Sequence, residues 1–427
     1  MTDRAAINSK LSSGASSQGA DVATAAMQSV RGGWTRVPFG DVSEIVAPQV
    51  DPTDPRFADL PHVSGENIES GTCRLTRVKT AAEDRMISGK YLFEPGDVLY
   101  SKLRPYLRKV AVPDFRGVCS ADMYPLRVRR EFLDPHFAAW MLVSEEFTKY
   151  AIEESTRARM PKLNRDQLFA WKAPLPPLPE QRRIATILGQ QIEALDRALA
   201  AAKAQMSAVD ALPAAYLRAV FHSSLAKAWP TRGIGEVAKV QSGFAFKSEW
   251  FAANGIRLLR NANVFQGYVA WDDEVRLPIE RRGEFREHEL SVGDIVLSLD
   301  RPVVSNGLKV ARLTAADVPA LLLQRVGRFR LSGSADPDYV YAFLNSKTFI
   351  AAITQHDYSL AVPHVSPKQV EAVAIPLPPL PEQRRISAIL RDQMAGVERS
   401  RKALREQLDA INALPAALLR RAFSGEL

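Results

Sequence analysis

Residues Pro174 to Ile184 read PLPPLPEQRRI, and Pro376 to Ile386 read PLPPLPEQRRI again, 202 positions later. Such an identity does not recur by chance in a chain of 427 residues. Forward of the segment the register holds without a gap. ALPAA recurs at 211–215 and 413–417, and LRAVF at 217–221 faces LRRAF at 419–423. Backward the likeness thins but persists. Gly96-Asp97-Val98-Leu99 faces Gly293-Asp294-Ile295-Val296, each followed by an Arg-Pro pair, Arg104-Pro105 and Arg301-Pro302. Trp34 with Gly40-Asp41-Val42 faces Trp229 with Gly235-Glu236-Val237. The chain is therefore two tandem halves, about residues 33–225 and 228–427. Their ends agree closely and their beginnings have diverged, as expected of one scaffold carrying two different globular parts.

The start of each half is strand-rich. Short β-branched runs (VSEIV, DVLYS and KVAVP, then EVAKV, IRLLR, GDIVLSL and LKVARL) alternate with Gly, Pro, Asn and Asp. Each start closes on a more helical stretch, PHFAAWMLVSEEFTKYAIEES or PDYVYAFLNSKTFIAAITQ. This predicts an α+β globule. The end of each half reads as one long helix. Pro179 and Pro381 suit a first helical position, and Glu180 and Glu382 suit the positive end of the helix dipole. Apolar residues then alternate at spacings of four and three: Leu188, Ile192, Leu195, Leu199, Ala202, Met206 and Val209 in the first copy. Leu390, Met394, Val397, Leu404, Leu408 and Ile411 follow in the second, interrupted by Arg401. That is a coiled-coil seam, and the cheapest partner for each stripe is the other copy, antiparallel, with packing of each helix on its own globular domain as the alternative. Pro213 and Pro415 are expected to kink or end a rod of ~45 Å, reckoned at ~1.5 Å per residue. PLPPLP resembles a polyproline ligand followed by Arg182 or Arg384. Because both copies run into a helix at the same place, it reads instead as a rigid junction.

The expected domain order is a disordered Ser/Ala/Gly-rich tail (1–32), a globular domain (33–177), a helix (178–225), a second globular domain (226–379) and a second helix (380–427). The N-terminus lacks the apolar core of a secretory signal, and no apolar run reaches membrane-spanning length. Cys73 and Cys119 show no metal spacing and suit a reducing compartment, so a cytoplasmic location is expected. The formal net charge of +8 favours an acidic partner, of which nucleic acid is the commonest. The sequence contains no phosphate-binding P-loop, no dinucleotide-binding glycine fingerprint, no H-E-x-x-H, C-x-x-C or G-x-S-x-G motif, and no Asn-Pro-Pro-aromatic segment. Nothing in it reads as an active site.

What stands out instead is a set of basic and amide-rich loops at matched places. In the first half these are Lys102, Arg104, Arg108 and Lys109 after the DVLYS strand, then Arg157, Arg159 and Lys162. In the second they are Arg301, Ser305, Asn306 and Lys309 after the DIVLSL strand, then His364 and Lys368, with Arg260, Asn261, Asn263 and Lys247 upstream. Such side chains contact phosphates and base edges, and a bland solvated face is the alternative for any one of them.

The doubled PLPPLPEQRRI entering a helix, the segments HVSGENIESG and SGFAFKSEWF, and the paired GDVLYSKLRP and GDIVLSLDRP together resemble the specificity subunit of type I restriction-modification enzymes. The resemblance runs from about Trp34 to the C-terminus and implies a fold of two tandem target-recognition domains separated by an antiparallel helical pair. Each domain would read one half of a split double-stranded DNA target, with the helices setting the spacing. Two methyltransferase subunits, which would carry S-adenosylmethionine, would dock on the scaffold, and two motor-nuclease subunits can join them. This chain itself would bind no cofactor and catalyse nothing. The competing expectations are a single-chain DNA-modifying or DNA-cleaving enzyme and a helical scaffold that binds only protein.

Overall fold

The computed structural model describes residues 34–46, 48–155, 161–304, 307–354 and 364–427. The expectations for the 1–32 tail and for Arg157, Arg159, Ser305 and Asn306 lie outside these residues. By its internal packing the chain divides into two compact units, one formed by Met1–Ala202 with Gln407–Leu427 and the other by Lys203–Glu406. The packing therefore does not follow the linear order: each unit takes one globular domain together with parts of both long helices.

The first domain is built on a four-stranded antiparallel sheet. Its centre is β1 (Val98–Ser101) beside β2 (Met123–Val128), flanked by Ser43–Ile45 and Val110–Ala111. The second repeats the order with β3 (Ile295–Ser298) beside β4 (Val326–Leu331), flanked by Ala238–Ser242 and Val310–Arg312. Residues of β1 and β3 are buried, which matches their continuous apolar runs VLY and IVLS. The second sheets differ more: five strands in the first domain and three in the second, each holding one parallel pair.

The repeated segment now has a physical explanation. Gln181 and Gln383, at 0% and 1% exposure, sit in the first turn of the two long helices. The Gln181 amide nitrogen donates to the carbonyls of Phe132 (2.9 Å) and Pro176 (2.8 Å), and its carbonyl accepts from the Asp134 N–H (2.8 Å). Gln383 repeats this with Ser334 (3.3 Å), Pro378 (2.8 Å) and Asp336 (2.8 Å). Each glutamine ties three backbone groups from the domain and the junction to the helix. Glu180 and Glu382 clamp Arg183 and Arg385 through paired 2.7 Å bonds on the same turn. Arg182 and Arg384 are exposed. PLPPLPEQRRI is thus a junction, and its identity in both halves follows from having to make the same bonds twice.

The long helices are α1 (Leu178–Phe221) and α2 (Leu380–Phe423), of 44 residues each, ~66 Å at ~1.5 Å per residue. The expected break at Pro213 and Pro415 does not occur: both prolines lie inside continuous helix. A proline there removes one helical hydrogen bond and crowds a carbonyl. Burial of the turns beyond it offsets that cost. Leu217 and Phe221 enter the core of the second domain, where Phe221 stacks edge-on against Tyr339 and Phe343. Leu419, Ala422 and Phe423 enter that of the first, where Phe423 meets Phe137.

Within each unit the two helix portions run antiparallel. In one, Ile184, Leu188 and Ile192 share a core with Leu419 and Ala422. In the other, Ile386 and Leu390 share a core with Leu217 and Phe221, while further along Arg401 bonds Asp210 at 2.7 Å. Leu188, Ile192, Ala202, Leu390, Val397, Leu404 and Ile411 are buried; Leu195, Leu199, Met206, Val209, Met394 and Leu408 are half-buried. Arg401, the interruption in the seam, reaches the edge and is neutralised there by Asp210 and Glu398. The N-terminal third of each seam doubles as a wall of its own domain's core, so the periodicity serves two packings.

Candidate nucleic-acid interface

The loops that leave the central strands carry the basic residues, and they are built alike in the two domains. Leu103 pairs with Lys162 as an isolated antiparallel bridge, and Asp300 pairs likewise with His364. The next N–H groups close the same ladder: Leu163 to the Lys102 carbonyl at 3.0 Å, Val365 to the Leu299 carbonyl at 2.8 Å. These bridges place Arg104 and Arg301 at the same position. Both are exposed, both precede a proline, and both hold a left-handed backbone, with φ of 51° and 44°. Such a conformation in a non-glycine residue costs ~1–3 kcal/mol. Among the described residues neither side chain is held by an ion pair or hydrogen bond.

Other side chains that the sequence singled out are committed inward. The Lys109 ammonium donates to the carbonyls of Gly65 (2.6 Å) and Ile68 (2.9 Å). The Lys309 ammonium donates to that of Asn261 (2.7 Å). Each lysine thereby pins a single turn of 3-10 helix, Gly65–Asn67 or Asn261–Asn263, beside the strand loop. Burial lowers the pKa of Lys309, with Asp300 opposing. Asn263, 2% exposed, is the helix-capping partner of that turn: it accepts from the Arg260 N–H and donates to the carbonyls of Ala270 (3.0 Å) and Asp273 (3.1 Å). Asn67 does the same in the first domain. Lys102 is buried, bonded to the Ala121 carbonyl and lying 5.2 Å from the Tyr124 ring centre; burial and then the neighbouring Lys162 lower its pKa. Arg260 is paired with Asp273, and Lys247 pairs with Glu249 above the Trp250 ring. Asn261 contacts the Asp300 carbonyl at 3.5 Å. The cations left facing outward are Arg104, Lys162, Arg301 and Lys368, with Arg108 half-buried and His364 exposed beside them.

Sequence reasoning passed over several residues of these loops. Tyr106 is 50% exposed between Arg104 and Arg108. Arg325, left-handed at φ 72°, pairs with Asp300 next to Arg301. Its carbonyl accepts from the Leu299 N–H, which fixes it to the end of β3. Tyr106 was legible as an aromatic within a basic run; Arg325 carries no local signal. No group of three or more His, Cys, Asp or Glu residues that could hold a metal ion occurs among the described residues.

The two domains are of one design, and each presents an exposed arginine from a strand end that can meet an anionic partner. The family model for the type I restriction modification DNA specificity domain matches the chain twice, at residues 32–203 and 226–409. The chain belongs to that family. It is 42% identical over 163 residues to the specificity subunit of the type I restriction enzyme EcoAI of Escherichia coli, covering 38% of this chain and 28% of that one. Against the EcoDI specificity subunit of the same organism the figures are 32% over 203 residues, 48% and 45%. The chain thus spans less than half the length of these two relatives. It is 29% identical over 310 residues to the MjaVIII specificity subunit of Methanocaldococcus jannaschii, covering 67% of this chain and 70% of that one. The fold is shared with the HsdS subunit from Thermoanaerobacter tengcongensis, with a TM-score of 0.67 at 23% identity over 93% and 98% of the two chains. It is also shared with a chain from a structure of type I R-M complex assembly, with a TM-score of 0.70 at 22% identity over 92% and 98%. The family's two-domain α+β architecture with paired helices is the architecture described above.

Proposed function

We propose that the chain is the DNA sequence-recognition subunit of a type I restriction-modification complex, in which each globular domain reads one half of a split duplex target. The observation that carries this is the matched pair Arg104 and Arg301: exposed, left-handed, on one strand-end loop of each domain. An arginine held in one direction suits bidentate contact with guanine or with phosphate. Lys162, Arg108, Lys368 and His364 supply the surrounding positive field for the phosphates. Lys102, Lys109, Asn263 and Lys309 shape these loops from inside rather than touching DNA. Catalysis rests with partner subunits, and S-adenosylmethionine belongs to them; an adenine to be methylated has to be flipped out by the partner.

The helices support the partner reading. Along one outer face of α1 several residues recur at the equivalent positions of α2: Gln191 and Gln393, Arg197 and Arg399, Ala201 and Ala403, Gln205 and Gln407, Ala208 and Ala410, while Gln190 and Asp392, Ala194 and Gly396, and Ala198 and Ser400 differ. Ile187 with Ile389 and Leu212 with Leu414 close its ends. At helical spacing these fall on one side, away from the seam. Nearly all are exposed, and Ile389 and Leu414 are 42% and 43% exposed. Elsewhere on the helices some exposed positions differ, as Ala200 and Lys402 or Ala204 and Glu406 do, and others are shared, as Arg182 and Arg384, Ala211 and Ala413, or Arg218 and Arg420 are. Core packing does not require identity at exposed positions, but docking the same protein twice does. We assign this face to two copies of a methyltransferase subunit; motor-nuclease subunits join through that assembly. The test is modified-base sequencing of the source genome with the gene intact and deleted. The expected result is loss of methyladenine from one split motif on deletion. Unchanged methylation with the partner methyltransferase expressed would contradict the proposal.

A further inference from the structure

The second domain carries an apolar tip that the first lacks. Phe265 and Tyr268 flank a tight turn in which the Phe265 N–H donates to the Tyr268 carbonyl at 3.0 Å, with Val264 and Val269 bridged behind it. Their rings lie parallel, 8° apart in plane and 5.2 Å between centres, yet they are 40% and 57% exposed. Large aromatics stacked on each other in water rather than in a core leave apolar surface that a partner can cover.

The turn is not loose. The Gly267 N–H donates to the Val310 carbonyl at 2.8 Å, and the Asn261–Asn263 turn that leads into it is pinned by Lys309. Gly307 packs so closely on Gln266 that a Cβ there would lie 2.5 Å from its amide nitrogen. These contacts seat the aromatic pair against the loop that begins at Arg301. That loop forms its own two-residue strands, Val303–Val304 against Gly307–Leu308, and leaves Val303 and Val304 36% and 42% exposed. An exposed arginine is thus bordered by two valines and two stacked rings.

The first domain differs at both places. Its strand loop is a short 3-10 turn, Pro105–Leu107. At the place of Phe265 and Tyr268, fixed by the equivalent bridge Ile68–Leu75 and the Glu69 N–H to Arg74 carbonyl bond, stand Glu69 and Arg74. Arg74 bonds both Glu69 and Asp196 of α1, so that turn is a polar strut on its own helix.

Resting on the DNA-reading proposal above, we infer that Phe265 and Tyr268, with Val303 and Val304, contact the 5-methyl groups of thymine in the half-site read by the second domain. Thymine is the only base that presents an apolar group in the major groove, and apolar side chains next to a base-directed arginine match it. The first domain reads its half-site without such contacts.

The test uses the full chain in complex with its methyltransferase partners and duplexes of the target in which thymine is replaced by uracil, one half-site at a time. Uracil keeps every hydrogen bond and removes only the methyl. For the wild-type complex, uracil in the second domain's half-site is expected to weaken binding about four-fold per contacted methyl. Uracil in the other half-site is expected to change little. The double variant Phe265→Asn, Tyr268→Asn, which alters only exposed side chains, should show a smaller uracil penalty in the second domain's half-site while keeping its preference at the first half-site. A wild-type complex that binds the target tightly but ignores uracil overturns the inference and leaves the DNA-reading proposal standing. So does a double variant that retains the full uracil penalty. Absence of any target preference in the wild-type complex would overturn both.

Discussion

The junctions and the loops they support make the most instructive contrast in this molecule. Gln181 and Gln383 make the same three bonds to equivalent groups, 202 residues apart, from an identical eleven-residue segment. In the domains above them, Glu69 and Arg74 replace Phe265 and Tyr268, and a short turn replaces a two-strand loop. The same backbone bridges hold both versions of the loop. A buried polar latch tolerates almost no change, because each altered atom strands a backbone group. An exposed tip whose turn is closed by main-chain bonds tolerates different side chains that keep the turn. The scaffold can therefore stay fixed while what it presents is exchanged.

The comparison is broken most severely at the latch. Gln181→Leu removes one acceptor and two donors from a buried side chain and is expected to cost at least about 3 kcal/mol, from about one for each of the three groups it leaves unpaired. Gln383→Leu should cost the same within error, as chemical denaturation of the purified complex would read. A clear inequality would show that the junctions are not energetic equivalents. Next in size are the arginines. Arg104→Ala should lower affinity for one half-site by ~1–3 kcal/mol and Arg301→Ala for the other, measured with duplexes mutated in one half at a time. If either variant weakens both halves alike, its arginine contacts phosphate rather than a base. Smaller still is the strut of the first domain. Arg74→Ala leaves Asp196 half-exposed and is expected to cost ~1 kcal/mol or less, with no effect on the second domain. The smallest effect belongs to Arg401→Leu. It restores the apolar seam but frees the Asp210 and Glu398 carboxylates, and thermal melting should move by no more than a degree or two, about what ~0.5 kcal/mol gives in a domain of this size.

Much of this was legible in the sequence because the signals are local. The duplication, the entry of each proline-rich junction into a helix and the apolar stripe from Leu188 to Val209 all follow from letters within a few turns of one another. Pro213 and Pro415 misled, because the burial that carries the helix past them comes from Phe221 and Phe423 entering distant cores. Which cation of each basic loop faces outward was not readable. Lys109 and Arg104 stand five residues apart in one basic run, and only the fold turns one ammonium onto the Gly65 carbonyl and leaves the other side chain exposed. Left-handed backbone announces itself at glycine, not at Arg104, Arg301 or Arg325. Phe265 and Tyr268 look like core residues as letters; their exposure is a property of the tertiary structure alone.

The central claim is that each domain reads its own half of the target. It is tested most directly by replacing residues 33–177 with the corresponding domain of another family member and sequencing modified bases in a host that carries the partner methyltransferase. The account predicts a new split motif in which one half has changed while the other half and the gap between them are unaltered. A change in both halves, or in the gap, would contradict it.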